Sequence, residues 1–484
     1  MTIYISGHSF GYELFNVARM FFHDVKVEEK APSKDDKGND FAYLRRVKTD
    51  KAITLMCTVK CETQQTASIK RLSPSEADAE CENSLACMLY DILCVLTGRI
   101  PSWGVITGIR PAKYVSSLLD EGSSEGEVMW RLMSRHRVSE DKARLCIDTA
   151  RVSRDVERQN KDSSCSLYVS IPFCPSRCSY CSFISSAVKN NEKLIEPYIE
   201  KLCEEIEQTA KVIKELDLSL ETVYIGGGTP TVLNETELKR LTDAIEKNID
   251  IKSVKEFSVE AGRPDTITAE KLLILKNAGV TRLSINPQTA NDEVLRLIGR
   301  RHTAKDIERA FFQARQAGFD NINADLIAGL TGDDFESFKR SLEWIEGLKP
   351  ENITVHALTL KRASRMTKGG LLPCFDAAKM VDYAGRKLRE DGYEPYYMYK
   401  QKGTVDSLEN TGYSKEGKRC LYNVFIMEEL HTILACGAGA VTKLVDRRRD
   451  RVERIYNYKY PTEYIDGFDE IIRRKKGVLK FYGR

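Results

Sequence analysis

From Cys165 to about residue 400, short apolar runs alternate with longer amphipathic stretches. The runs Leu167–Ile171, Thr222–Ile225, Glu256–Val259, Arg282–Ile285, Ile322–Ile327 and Ile353–Ala357 have strand length, which predicts six β-strands. Glu192–Ile213, Glu235–Ile245, Ala269–Asn277 and Asp334–Ile345 are amphipathic and predict helices in the gaps. Strands separated by helices pair in parallel through right-handed crossovers. Six such units predict an α/β fold, a partial (β/α)6 TIM-like barrel rather than a closed eightfold one. In such barrels the chemistry gathers at the C-terminal ends of the strands.

Outside this region the texture differs. Residues 1–160 mix an alternating segment, Ala52–Val59, with a helix marked by Leu85, Met88, Leu89, Ile92 and Leu93 and stopped by Gly98 and Pro101. This predicts an additional N-terminal α+β domain, with a loop at the charged break Lys34–Asp40 and a turn across Trp103–Pro111. The barrel is expected over residues 161–400. Residues 401–484 are expected to form an extension that closes it, with a basic tail. Its runs Arg447–Arg449 and Arg473–Lys476 read as a solvated face, or else as a site for an anion or partner.

Composition narrows the class. Across 484 residues, 42% are hydrophobic and 30% charged, which excludes a disordered, collagen-like or membrane-embedded chain. Lys and Arg number 74 against 71 Asp and Glu, so no bulk charge attracts nucleic acid. The start of the chain has no charged-then-apolar leader and no run is long enough to span a bilayer, which predicts a cytoplasmic protein. Fourteen cysteines in that compartment are not a disulfide framework. Most, including Cys57, Cys61, Cys87 and Cys94, read as small core residues.

Three cysteines stand apart. Cys174, Cys178 and Cys181 form a C-x3-C-x2-C loop immediately after the first barrel strand. A [4Fe-4S] cube is commonly held by four Cys. Three thiolates leave one iron open to a substrate or cofactor, as an open position distinguishes catalytic from structural zinc sites. Zinc is the competing occupant, but it requires a fourth ligand, and the next His is His302. One βα unit later comes Gly226-Gly227-Gly228-Thr229-Pro230, where missing Cβ atoms let the backbone approach a ligand closely. Glu260 ends the third strand, where a carboxylate accepts hydrogen bonds from hydroxyl or ammonium groups.

The cysteine loop, with Tyr180 before its last Cys, resembles the signature of the radical S-adenosylmethionine (SAM) enzymes. The resemblance implies a [4Fe-4S] cluster on Cys174, Cys178 and Cys181, and a SAM molecule whose one-electron cleavage yields a 5′-deoxyadenosyl radical. The stretches Tyr168–Cys174, Gly226–Thr231, Arg282–Ile285 and Asp325–Leu330, with Gln288 and Arg300, are similar to those of the oxygen-independent coproporphyrinogen III oxidases over about residues 165–440. Glu260–Asp265 and Leu408–Tyr413 resemble the branch named coproporphyrinogen dehydrogenase, HemZ. Carried over by position, Tyr168, Gly227 and Glu260 contact the cluster-bound SAM. Tyr180, Gly228, Thr229, Gln288, Arg300 and Asp325 match positions that contact a second SAM. The family segment that closes over adenosine resembles Gly437–Ala440, which a close loop contact explains nearly as well.

The implied reaction is oxidative decarboxylation of coproporphyrinogen III propionates to the vinyl groups of protoporphyrinogen IX in haem biosynthesis, with an electron donor such as flavodoxin or ferredoxin. The family oxidases carry a His where this chain has Ser170, and a fourth Cys where it has Phe183, so the tetrapyrrole substrate stays open. The alternatives are a haem-binding chaperone, with His302 or His356 as axial ligand, and a radical SAM enzyme performing methyl transfer or ring opening on another tetrapyrrole. His302 also reads as part of a solvated cationic patch, and His356 as a core histidine.

Overall fold

The computed structural model describes residues 1–22, 24–33, 40–108, 110–181, 186–359, 374, 376–401, 404 and 407–483. Two compact units result, one formed by Met1–Ala150 with a few residues between 400 and 408, the other by the rest of the chain.

In the first unit β1 (Thr2–Ser6), β2 (Lys26–Glu28), β3 (Phe41–Lys48), β4 (Ile53–Cys61) and β5 (Gln64–Leu72) make one sheet in the order β2-β1-β3-β4-β5. β1 is parallel to β2 and β3, and β3, β4 and β5 form an antiparallel meander. Ile53, Leu55, Cys57 and Val59 alternate into the core, as a half-buried strand requires. The helix Asp78–Thr97 supplies Leu85, Met88, Leu89, Ile92 and Leu93 to the same core and ends at Gly98, whose φ of 68° continues no helix. Cys81, Cys87 and Cys57 fill that core, with Cys94 packed against it. Most of the expected loop at 34–40 lies outside the described residues. Of the expected Trp103–Pro111 turn, Trp103–Val105 form a turn, Ile109 lies outside the described residues, and Pro111 is the first residue of a helix, Pro111–Asp120.

The second unit is organised by an eleven-stranded sheet. Its strands are β6 (Ser164–Ile171), β9 (Ser219–Gly227), β10 (Glu256–Gly262), β11 (Arg282–Ile285), β12 (Ile322–Ala328), β13 (Asn352–Ala357), β14 (Glu394–Lys400), β15 (Glu409–Ser414), β16 (Thr432–Cys436), β17 (Val441–Asp446) and β18 (Arg451–Tyr456). Two short strands, β7 (Phe173–Cys174) and β8 (Ser186–Ala187), pair separately. The order β6-β9-β10-β11-β12-β13 is sequential and parallel throughout, so all six anticipated strands form the anticipated barrel sheet. Helices Glu192–Glu215, Glu235–Asn248, Ala269–Asn277 and Phe335–Gly347 lie between them. Two further ones, Asp292–Leu297 and Ala304–Gln316, are too closely spaced to read as separate repeats in the sequence.

Beyond residue 400 the chain continues this sheet. β15 pairs antiparallel with β13 at one end, and β16 pairs parallel with β6 at the other. The helix Leu421–Glu428 starts against β10: buried Glu256 accepts from the N–H groups of Leu421 at 2.7 Å and Tyr422 at 3.4 Å, a carboxylate at the positive end of a helix. The basic run Arg447–Arg449 is a solvated face, and only the second run departs from that reading, at Lys475. Arg447, Arg448 and Arg454 pair with Glu157, Asp162 and Glu429. Lys475 is buried, its Nζ 3.0 Å from fully buried Glu205 Oε1. Helical spacing places Lys475 on the same face as Ile471 and Val478, and a charge run alone conceals that.

Candidate functional site

Strand register decides which side chains share a face. Tyr168 lies opposite Tyr224, Tyr224 opposite Ser258, Ser258 opposite Arg282, Glu260 opposite Ser284, Ser284 opposite Asn323, and Asp325 opposite Thr354. Because side chains alternate, Tyr168, Tyr224, Glu260, Asp325 and His356 all belong to one polar face. Leu167, Val223, Val259, Leu283, Leu326 and Val355 form the apolar face and are all buried. The strand ends Ile171 and Gly227 pair, and β10 ends beside β11, so the loops that follow meet at one rim.

At this rim the glycine stretch lies on the cysteine loop. Gly228 N–H donates to Ile171 O at 2.7 Å and Thr229 N–H to Phe173 O at 2.8 Å, while Thr229 Oγ1 reaches Cys174 Sγ at 3.6 Å. A Cβ on Gly228 would stand 2.4 Å from Phe173 O, so only glycine permits this approach. Thr231 Oγ1 ties the stretch to Ala261 O at 2.7 Å. On the other side, Ser179 N–H donates to Ile298 O at 3.0 Å and Ser176 Oγ to Gly299 O at 3.2 Å. Arg263, held by Asp265, donates to Ser176 Oγ at 2.9 Å. Cys178 is buried, and Cys174 and Cys181 are half-buried. Among the described residues no three His, Cys, Asp or Glu side chains stand close enough to hold a single metal ion. Phe183 lies outside the described residues.

The other anticipated residues fall into three neighbouring groups. Tyr168 stacks with Tyr224 and Tyr422, whose rings are 4.4 Å apart. Tyr224 OH donates to Glu260 Oε1 at 2.7 Å, and Gly227 N–H to Glu260 Oε2 at 3.3 Å. Burial pushes the Glu260 carboxyl up to about 7, against these two donors and with the nearby charge of Asp325. The second group is Tyr180, Cys178 and Arg300, which interact electrostatically, and the Arg300 guanidinium donates to Asn286 O at 2.5 Å. In the third, Gln288 adopts φ of 71° and bridges β12 through its backbone, N–H to Asp325 O at 2.9 Å and O from Ile327 N–H at 3.0 Å. Asn323 Nδ2 donates to Asp325 Oδ1 at 2.7 Å, and His356 Nε2 is 3.7 Å from Asp325 Oδ2. Burial opposes charge on Asp325 and on His356, but each outweighs it for the other: the Asp325 carboxyl is held below its ordinary range and the His356 imidazole above it.

Tyr224, Asn323 and Asn410 complete these groups, and motif reading alone did not assign them to the site; His356, read from the sequence either as a haem ligand or as a core histidine, stands beside Asp325. Asn410 Oδ1 accepts from Ala357 N–H at 3.1 Å and lies 3.3 Å from His356 Nδ1. The signal was available: in a strand, polar residues two apart point to one side, as Thr222 with Tyr224 and Thr354 with His356 do. His302 is not part of a solvated patch. It is 3% exposed, neither ring nitrogen has a partner, and burial beside Arg300 and Arg263 lowers its pKa to about 4, leaving it neutral.

Buried polar atoms without partners here are Ser179 Oγ, Asn286 Oδ1, Gln288 Oε1, Arg300 Nε and both His302 nitrogens. Such atoms are scarce in folded proteins, and a patch of them fits a polar ligand that supplies the missing partners. Three thiols on one loop, a glycine cradle and orphaned donors and acceptors together fit an iron–sulfur cluster and a polar, charged cofactor.

Comparison with known proteins bears on the same region. A family model described as the Radical SAM superfamily matches residues 168–345. The chain is 34% identical over 478 residues, 96% of its length and 95% of the relative's, to the oxygen-independent coproporphyrinogen-III oxidase-like protein HemZ of Bacillus subtilis (strain 168). It is 36% identical over 256 residues, 51% of its length and 66% of the relative's, to the heme chaperone HemW of the same organism. The solved coproporphyrinogen III oxidase (HemN) from Escherichia coli matches with a TM-score of 0.52 and 24% identity over 66% of this chain and 72% of that one, a likeness of fold.

The family model and the match to HemZ identify a radical SAM protein, a class that uses a [4Fe-4S] cluster and SAM. Within that class, the full-length match places the chain in the family of HemZ, the oxygen-independent coproporphyrinogen-III oxidase-like proteins. Among the described residues no helix is long and apolar enough to cross a membrane.

Proposed function

We propose that this chain is a cytoplasmic enzyme that oxidatively decarboxylates the propionate side chains of coproporphyrinogen III to vinyl groups. The observation that carries the reading is the meeting, at one strand-end rim, of the cysteine loop, the glycine cradle and the Tyr224–Glu260 pair, in a chain matching an oxidase-like relative from end to end. Cys174, Cys178 and Cys181 would hold the cluster, and Tyr168, Gly227 and Glu260 the SAM bound to it. When bound, these groups supply one-electron cleavage and hydrogen abstraction. Tyr180, Gly228, Thr229, Gln288, Arg300 and Asp325 would meet a second SAM, and the orphaned atoms of Gln288 and Arg300 support that. The protein's own work is to orient these ligands by short backbone contacts, and the Tyr168–Tyr224–Tyr422 stack would help to exclude water from the polar face. A flavodoxin or ferredoxin would deliver the electron.

The test is anaerobic reconstitution with dithionite and SAM, measuring 5′-deoxyadenosine with and without coproporphyrinogen III and the product mass. Coproporphyrinogen-dependent deoxyadenosine with loss of carbon dioxide, absent in Cys178→Ala, is expected. The relationship to HemW supports a second reading, haem carriage. Stoichiometric haem binding with SAM cleavage indifferent to coproporphyrinogen would establish that reading and overturn the first.

A further inference from the structure

Arg282 opens β11 opposite Ser258, Ser258 lies opposite Tyr224, and Tyr224 opposite Tyr168, so these four share one register row of the polar face. The row runs about 7 Å below the rim, since Ser284, two residues after Arg282, is the partner of Glu260. Arg282 is 1% exposed, and its Nε and Nη2 have no partner. Guanidinium stays protonated in proteins, and a charge taken out of water without a partner is costly. The carboxylates of the same face are engaged elsewhere: Glu256 by Leu421 N–H and Ser258 Oγ, Glu260 by Tyr224 and Gly227, Asp325 by Asn323. A second donor is left over on this face. Tyr396 is fully buried in the cluster that holds Tyr224 and Tyr422, and its ring lies 3.1 Å from where a Cβ of Gly412 would stand, opposite Thr354. Its hydroxyl also has no partner, and burial holds it above its ordinary range, so it keeps the proton it would donate.

We propose that the polar face holds a carboxylate-binding site at Arg282, completed by the Tyr396 hydroxyl, for the ligand seated at the rim. Two enclosed donors call for an anionic acceptor, and the planar fork of an arginine matches a carboxylate. The propionate arms of the tetrapyrrole and the amino-acid end of SAM both carry that group. The inference rests on the reading of the rim as the ligand site, and gives Arg282 a contact that its motif left without a role. Such a site costs the free protein stability, because the charge is desolvated before its partner arrives. That sign separates a binding arginine from a structural one.

The experiment reconstitutes the full chain anaerobically as wild type, R282Q, R282M and Y396F. Equilibrium dialysis measures binding of SAM and of coproporphyrin III, the oxidised tetracarboxylate, and denaturant titration measures unfolding without either. Affinity for one of the two should fall about tenfold or more in R282Q, as for a lost hydrogen bond to a charged group, and by less in Y396F. The ligand affected identifies the source of the carboxylate. R282M should unfold at a higher midpoint than wild type. Unchanged affinity for both ligands in R282Q overturns the proposal, and so does reduced affinity that comes with a lower midpoint in R282M, the mark of a structural residue. If R282Q does not fold, Y396F decides: weaker binding of one ligand at an unchanged midpoint supports the site, and unchanged binding overturns it. Wild-type protein that binds SAM but not coproporphyrin III overturns the coproporphyrinogen reading and leaves the SAM measurement to decide this one; binding of neither overturns both.

Discussion

Tyr224 donates its hydroxyl to Glu260 Oε1 at 2.7 Å across neighbouring strands, the closest polar contact of the polar face with the rim carboxylate. That bond, and Gly227 N–H on the other oxygen, only partly offset burial, so Glu260 gains its proton near pH 7 rather than near 4.5. The sign follows directly. A carboxyl whose folded pKa is raised keeps a proton that the unfolded chain has released, so stability falls as pH rises from about 4.5 to about 7. Glu260→Gln should remove about 3 kcal/mol of that fall, seen as a flatter profile of unfolding free energy by denaturant titration between pH 5 and 8. If the carboxylate meets SAM, wild-type affinity should also weaken below pH 7 in equilibrium dialysis. Glu260→Gln should bind weakly at every pH.

Gly228→Ala tests the cradle without touching a ligand side chain. The new Cβ would lie 2.4 Å from Phe173 O and 2.9 Å from Ile171 O, both backbone atoms that move only with the cysteine loop. Overpacking of this kind costs about 1–3 kcal/mol. A lower midpoint of unfolding and reduced iron per chain after reconstitution are expected. Unchanged iron content would show that the cysteine loop does not depend on this contact.

Asp325, held below its ordinary range, titrates in the opposite sense to Glu260, whereas His356, raised like Glu260, loses stability in the same direction. The raised imidazole contributes stability that is fully present below about 6.5 and is lost as pH rises through its folded value. Glu260 and Asp325 are the acidic groups that favour its charge, and Asn410 orients the ring. His356→Gln should therefore narrow the stability difference between pH 6 and pH 9, and Asp325→Asn should lower the imidazole pKa read by NMR.

Beneath the Gly437–Ala440 turn, Glu205 accepts from Gly437 N–H at 2.7 Å, Tyr464 OH at 2.6 Å and Asn457 Nδ2 at 2.8 Å, with Lys475 Nζ at 3.0 Å. Removing one partner of a buried ion pair costs about 3–5 kcal/mol because the other charge is left behind. Lys475→Met should fall at the low end, since three other donors remain on Glu205. Thermal unfolding checks it, and Lys475→Met with Glu205→Gln should recover part of the loss.

The sequence by itself determined the local features. Strand-length apolar runs, a three-cysteine loop and a glycine stretch at fixed offsets from strand ends are encoded within a few residues, and their spacing survives folding unchanged. Glu260 at the end of β10 and the loop after β6 were legible for that reason. Tertiary structure alone decided the rest. Tyr224 meets Glu260, and His356 meets Asp325 and Asn410, because register and curvature bring separate strands together, and no local pattern encodes that. The tail shows the same limit: Lys475 reads as one more surface charge until the helix Phe468–Phe481 packs it against Glu205, where desolvation turns a basic run into a buried ion pair.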